Sequence, residues 1–234
     1  MAGNELLGSH QARRAQIMAR AVELFDVGGY HMTSMEDLAA AVGIAKPSLY
    51  HYFKSKGDIL YAVLDGLIDL VLSDHDARVT ADPDAEPEVL LQGIIGDIVK
   101  STRAHQAYVR VFYENLRNLD PQQQRAIRVK RDEYADIVTS LIRQGCARGD
   151  FDCDPTVAMF ALFGMCNWTY QWYDASGPIT PDELAHQFWN IFRSGIAGHF
   201  RAGVQDRPAV SLNAQPAVPR RKRPRPASQS SSAV

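Results

Sequence analysis

Hydrophobic residues recur at helical spacing along most of the chain, and the breaks between runs carry helix-stop and helix-start signals. Ile17, Ala21, Leu24 and Phe25 share one face of a helix expected from about Ser9 to Gly28, which Gly28-Gly29 ends. Ser34 can cap a second helix, with Asp37 in a capping-box relation to it and Leu38, Ala41 and Val42 as its apolar face. Gly43 falls where a turn needs a positive φ. A short third helix can begin near Lys46, because Pro47 is tolerated in a first turn. Leu49 and Phe53, four apart, anchor it in a small core. Ile59, Leu60, Val63, Leu64, Leu67 and Val71 line a longer helix over 56–74, and the acidic, proline-containing stretch 75–87 reads as a loop.

Further along, Asp120-Pro121, Asp154-Pro155 and Thr180-Pro181 each set a good N-cap before a proline at the first helical position. Helices are therefore expected to start near 121, 155 and 181, with two more over about 87–104 and 106–117. The pattern predicts an all-α chain of nine helices, three in a head and six behind it, with no strand pattern and no internal repeat. The expected division is 9–55 as a head, 56–200 as a helical body and 201–234 as a disordered basic tail, since the tail is rich in Pro, Ser and Ala and poor in large apolar residues.

Helices two and three, joined at Gly43, form a helix-turn-helix, a unit that sets its second helix in a DNA major groove. The third helix leaves Lys46, Ser48, Tyr50, His51 and Lys54 outside, and no acid lies between Val42 and Gly57. Lys46 and Ser48 stand at the N-terminal end, where side chains meet base edges. Tyr50 and His51 are better placed for phosphates, and Lys56 opens the next helix, where backbone N–H groups and a cation together suit a phosphate.

The runs Thr33-Ser-Met-Glu-Asp-Leu-Ala39, Val42-Gly-Ile-Ala-Lys-Pro-Ser-Leu-Tyr-His-Tyr-Phe53 and Ser55-Lys-Gly-Asp-Ile-Leu60 closely resemble the DNA-binding signature of TetR-family transcriptional regulators. The resemblance implies a nine-helix fold, a homodimer and double-stranded operator DNA as partner. Carried onto this sequence, the DNA-contacting set is Thr33, Ser34, Lys46, Pro47, Ser48, Tyr50, His51 and Lys56. One departure is Ala45, at a position often Ser in the family: alanine can neither cap the recognition helix nor touch phosphate.

Composition changes the picture in two places. With 46% hydrophobic and 22% charged residues the 234-residue chain is an ordinary globular one, and its longest apolar run, Val157 to Cys166, is too short to cross a membrane. No signal peptide is expected at the N-terminus. Residues 1–72 hold six Lys/Arg and eight Asp/Glu, so DNA binding has to rest on local clustering and not on a general cationic field. The tail segment Pro219–Pro226 is strongly basic, either a solvated tail or an auxiliary phosphate contact. Three cysteines without metal spacing suit a reducing cytoplasm. Seven scattered histidines, with no HExxH and no GxSxG, argue against an enzyme and against a bound metal or other cofactor.

The helix from 155 is apolar on nearly every side, and the last helix adds Leu184, Phe188, Trp189, Ile191, Phe192 and Ile196. Both need cover beyond what one protomer supplies, which predicts a homodimer through about 155–174 and 181–200. Trp168, Gln171 and Trp172, with Phe112, Tyr113 and Leu116, fit either core packing or the wall of a ligand pocket. The run Gly164-Met-Cys-Asn-Trp-Thr-Tyr-Gln-Trp-Tyr173 is similar to the C-terminal domain of TetR regulators of fatty-acid and sterol catabolism, which implies an acyl-CoA thioester as effector. A lipophilic drug-like cation or other amphiphile is the alternative ligand.

Overall fold

The computed structural model describes residues 2–174 and 176–197, with side chains from residue 10 onward. The expected tail 201–234 lies outside the described residues, as do the last residues of the expected interface helix. Nine helices run through the described residues when the single turn Thr169–Trp172 is counted as the end of the eighth. They are α1 (Ala2–Gly28), α2 (Met35–Ala41), α3 (Lys46–Tyr50), α4 (Lys56–Ala81), α5 (Pro87–Ala104), α6 (Gln106–Asn115), α7 (Pro121–Arg148), α8 (Pro155–Asn167) and α9 (Pro181–Ile196). No helix among them is long and apolar enough to cross a membrane.

Local sequence sets most of these boundaries. Ser34 and Asp37 form a reciprocal capping box at α2, and Asp120 with Gln123 and Thr180 with Glu183 do the same at α7 and α9. Asp154 caps α8 through the amides of Thr156 and Val157. Gly43 at φ 68° makes the turn between α2 and α3, and Gly149 at φ 86° ends α7.

Two boundaries differ from expectation. Helix α1 begins at Ala2 instead of near Ser9. Helix α4 runs to Ala81, through most of the stretch read as a loop, because tertiary contacts override its acidic composition. Arg78 donates to both carboxylate oxygens of Asp97 at 2.7 Å, and His75 is buried, so the last turns of α4 dock on α5. The loop shrinks to residues 82–86.

Two hydrophobic clusters organise the chain. One, in the body, joins Leu91, Ile94, Ile95, Val99, Val138, Ile142, Leu162, Trp189 and Phe192. The other contains Ile17, Phe25, Leu38, Leu49, Phe53, Ile59 and Leu64 from the head and the start of α4, but also Val111, Phe112, Leu119 and Ile127 from α6 and beyond. The head therefore does not close its core alone; α6 and α7 complete it. Polar clasps follow the same seam. Arg110 of α6 grips Asp26 of α1 at 2.9 and 3.0 Å, and Lys130 of α7 reaches Asp65 and Asp69 of α4 at 2.6 Å each.

Candidate functional site

The head presents its donors as the spacing predicts. Leu49 is fully buried and Phe53 nearly so, which turns Lys46, Pro47, Tyr50, His51 and Lys54 outward, with Ser48 half-buried. Ala45 makes no side-chain cap to α3, in line with the departure seen in the sequence. Ser34 caps α2, its Oγ accepting the Asp37 N–H at 3.1 Å. Lys46 is paired with Glu36 across the two helices.

Two members of the expected contact set are occupied elsewhere. Thr33 is buried and its Oγ1 donates to the Gly29 carbonyl at 3.0 Å. Lys56 donates to the carbonyls of Tyr30 at 2.6 Å and Thr33 at 2.7 Å, and its ammonium sits 4.4 Å over the Tyr30 ring. Partial burial pushes the Lys56 ammonium below its usual range. These two side chains tie down the turn before α2; neither is free to hold a phosphate. Arg14, unremarked in the sequence, braces α3 from the other side, donating to the Tyr52 carbonyl at 3.0 Å and lying 4.1 Å over Phe53.

The body holds a cavity of about 360 Å³ between α4, α5, α6, α7 and α8, within the range of small-molecule sites. Its walls are apolar and aromatic, among them Leu67, Ile68, Phe112, Tyr113, Tyr134 and Phe163. Tyr134 stacks on Phe163 at 5.5 Å, and Tyr113 on Tyr170 at 5.2 Å. Burial pushes the Tyr113 phenol up to about 12 and Tyr134 far above its ordinary value, so both stay neutral hydroxyls at physiological pH. Ser101 borders the cavity, and its Oγ has no hydrogen-bond partner. Charge is confined to the exposed rim at Arg131, Asp132 and Asp136.

Of the expected ligand residues, Phe112 and Tyr113 line this cavity. Trp168, Gln171, Trp172 and Leu116 do not. The helix breaks at Trp168, which leaves Trp168 61% and Trp172 51% exposed. Leu116 packs against the head cluster instead. Helical periodicity could not assign these faces, because α8 is apolar on both. Ala158, Met159, Leu162 and Cys166 face the protomer core, while Val157, Phe160 and Trp168 stand exposed along an opposite stripe. On α9, Leu184, Trp189, Phe192 and Ile196 are core, and Ile191 is exposed with Phe188 half-buried.

A two-helix reading head, sharing its core with the wall of a ligand-sized cavity, defines the class as a helix-turn-helix transcriptional regulator. Comparison with known proteins narrows this. Residues 17–63 match the bacterial regulatory proteins of the tetR family, and residues 84–196 match the tetracyclin repressor-like C-terminal domain. The chain belongs to the TetR family. It is 26% identical over 199 residues to the HTH-type transcriptional repressor KstR2 of Mycobacterium tuberculosis, covering 82% of this chain and 97% of that one. The structure of that ketosteroid transcriptional regulator superposes with a TM-score of 0.71 at 25% identity, over 79% of this chain and 95% of that chain. A TetR/AcrR-family regulator from Thermobifida fusca is 35% identical with a TM-score of 0.63, over 79% and 98% of the two chains. AibR, solved in complex with isovaleryl coenzyme A and operator DNA, gives a TM-score of 0.70 at 27% identity, over 76% and 97%.

Proposed function

We propose that the protein is a dimeric repressor that leaves a palindromic operator when the acyl part of an acyl-CoA thioester fills the cavity. The observation that carries this reading is Phe112. It forms part of the cavity wall and is also buried in the core cluster of the head. Arg110, two residues earlier, holds Asp26 of α1. A ligand that displaces α6 therefore acts on the seat of the head directly, and α4 carries the same load through Leu67 and Ile68. Release follows if the ligand binds the displaced arrangement better than the DNA-competent one.

The chemistry of the cavity supports a greasy, uncharged occupant: its interior offers neutral hydroxyls and no buried charge. About 360 Å³ holds an acyl group but not the nucleotide of coenzyme A, which would lie outside, beside Arg131. Repression is the activity named for the KstR2 relatives, and an acyl-CoA is bound in the AibR structure. Dimerisation falls to the exposed stripes of α8 and α9. The DNA-contacting set is Ser34, Lys46, Pro47, Ser48, Tyr50 and His51, with Thr33 and Lys56 supporting it from behind.

One observation favours a second ligand class. Asp132 and Asp136 outnumber Arg131 at the rim, and together with Tyr113, Tyr134 and Phe163 they would suit a lipophilic cation. A mobility-shift assay of the protein–DNA complex against acyl-CoAs, matching free acids and lipophilic cations decides between them. Release by thioesters alone supports the proposal; release by cations alone overturns it in favour of drug sensing.

A further inference from the structure

Glu36 is an exposed acid of the head that phosphate attraction does not account for. It lies in the first turn of α2 and is largely exposed, on the side that carries the recognition helix. A carboxylate there is repelled by the DNA backbone. Its partner is Lys46, the first residue of α3, so the pair joins the N-terminal ends of the two helices that meet the groove. The hydrogen bond between them holds the Glu36 carboxyl below its usual range and raises the Lys46 ammonium, keeping both charged. An ion pair this exposed contributes little to stability, so folding is not a reason for its presence.

The major groove offers a reason. A G·C pair displays N7 and O6 of guanine as acceptors and the N4 amino group of cytosine as a donor. An ammonium supplies donors only and an ionised carboxylate acceptors only. We propose that Glu36 is a specificity-determining residue, forming with Lys46 one reading unit for G·C in each operator half-site. Lys46 donates to guanine O6 and N7, and Glu36 accepts from the cytosine N4 amino group of the same or the adjacent pair. An A·T pair also offers an amino donor, adenine N6, but sets it between adenine N7 and thymine O4, so the acceptor–acceptor–donor order read by the two side chains is lost. Where the carboxylate meets no donor, its repulsion from the phosphates lowers affinity for non-cognate duplexes. The inference rests on the reading of α3 as the helix that enters the groove.

Selection from duplexes with a randomised core, using the full-length protein, tests it. Wild type, Glu36→Gln, Glu36→Ala, Lys46→Ala and Tyr50→Ala are compared, each first shown to melt like wild type. Wild type should enrich a G·C pair at one position of each half-site. Both Glu36 variants should bind but lose that preference by about tenfold, Glu36→Gln drifting toward adenine, which an amide reads through N6 and N7. Lys46→Ala should lose the same position and bind more weakly. Glu36 variants with the wild-type profile, while Lys46→Ala and Tyr50→Ala weaken binding, would overturn the role of Glu36 and leave the recognition helix standing. Unchanged profiles and affinities for all four would remove the recognition-helix assignment, and the proposal with it.

Discussion

Replacing Ile191 by Glu should dissociate the dimer without unfolding the protomer. Ile191 is 62% exposed on α9, on the same side as Phe188 one turn earlier, and faces away from the core formed by Trp189 and Phe192. Fully burying an isoleucine is worth about 1.5–3 kcal/mol, so covering the exposed part of this one stabilises a two-fold dimer by about 2–4 kcal/mol, counted on both protomers. A carboxylate at the same place loses that term and adds the cost of an unpaired charge in the interface, at least a few kcal/mol. The sum, about 5 kcal/mol or more, raises the dimer dissociation constant by roughly three to four powers of ten. Sedimentation velocity across a concentration series reads the change directly, with the thermal midpoint as a folding control. Val129→Glu, at a 66% exposed position on α7, is the matched control and should remain dimeric. A dimer that survives Ile191→Glu but not Val129→Glu would show that α8 and α9 do not form the interface. Phe192→Glu is unsuitable for this test, since Phe192 is core and its replacement unfolds the protomer.

Most of the fold was legible because its signals are local. Asp-Pro and Thr-Pro pairs marked three helix starts, Ser34 and Asp37 a fourth, and Gly43 the turn between the reading helices. What failed was set by contacts between distant residues. The end of α4 depends on Arg78 finding Asp97, and nothing near residue 78 announces that. The cavity was half legible. Phe112 and Tyr113 line it, as one of the two readings open to them, but Trp168 and Trp172 are neither cavity wall nor core, because a helix apolar all round does not say which side its own protomer covers. Tyr134 carried a usable signal, a lone aromatic beside Ala135 in a highly polar helix; Ser101 carried none. Thr33 and Lys56 look like DNA contacts in sequence because a residue that holds a reading turn and one that touches DNA occupy the same short stretch.

Three further outcomes follow from particular contacts. Lys56→Met removes a cation bonded to two carbonyls and should lower the stability of the head by about 1–3 kcal/mol, seen as a lower thermal midpoint and weaker DNA binding together; an unchanged midpoint would contradict its role as a clamp. Burial lowers the pKa of His75 below its ordinary 6.5, so the unfolded chain binds this proton more readily than the folded one. Stability should therefore fall as pH drops below about 6.5, and His75→Phe should flatten that decline in denaturant titrations; an identical pH profile would refute it. Arg110→Gln should leave effector binding near wild type yet shrink the effector-induced change in operator affinity by about fivefold, the scale of roughly 1 kcal/mol of lost coupling; full coupling in the variant would exclude the α6–α1 clasp as a route.

On the proposed reading, the occupant of this cavity controls the grip of the head on DNA. Ala135→Trp should abolish that control, because Ala135 lines the cavity and an indole there fills much of about 360 Å³. Operator binding by fluorescence anisotropy, with and without a releasing effector at saturation for wild type, is the measurement. Ala135→Trp should bind the operator and no longer respond to the effector. A variant that binds the operator and is released as readily as wild type would place the effector outside this cavity.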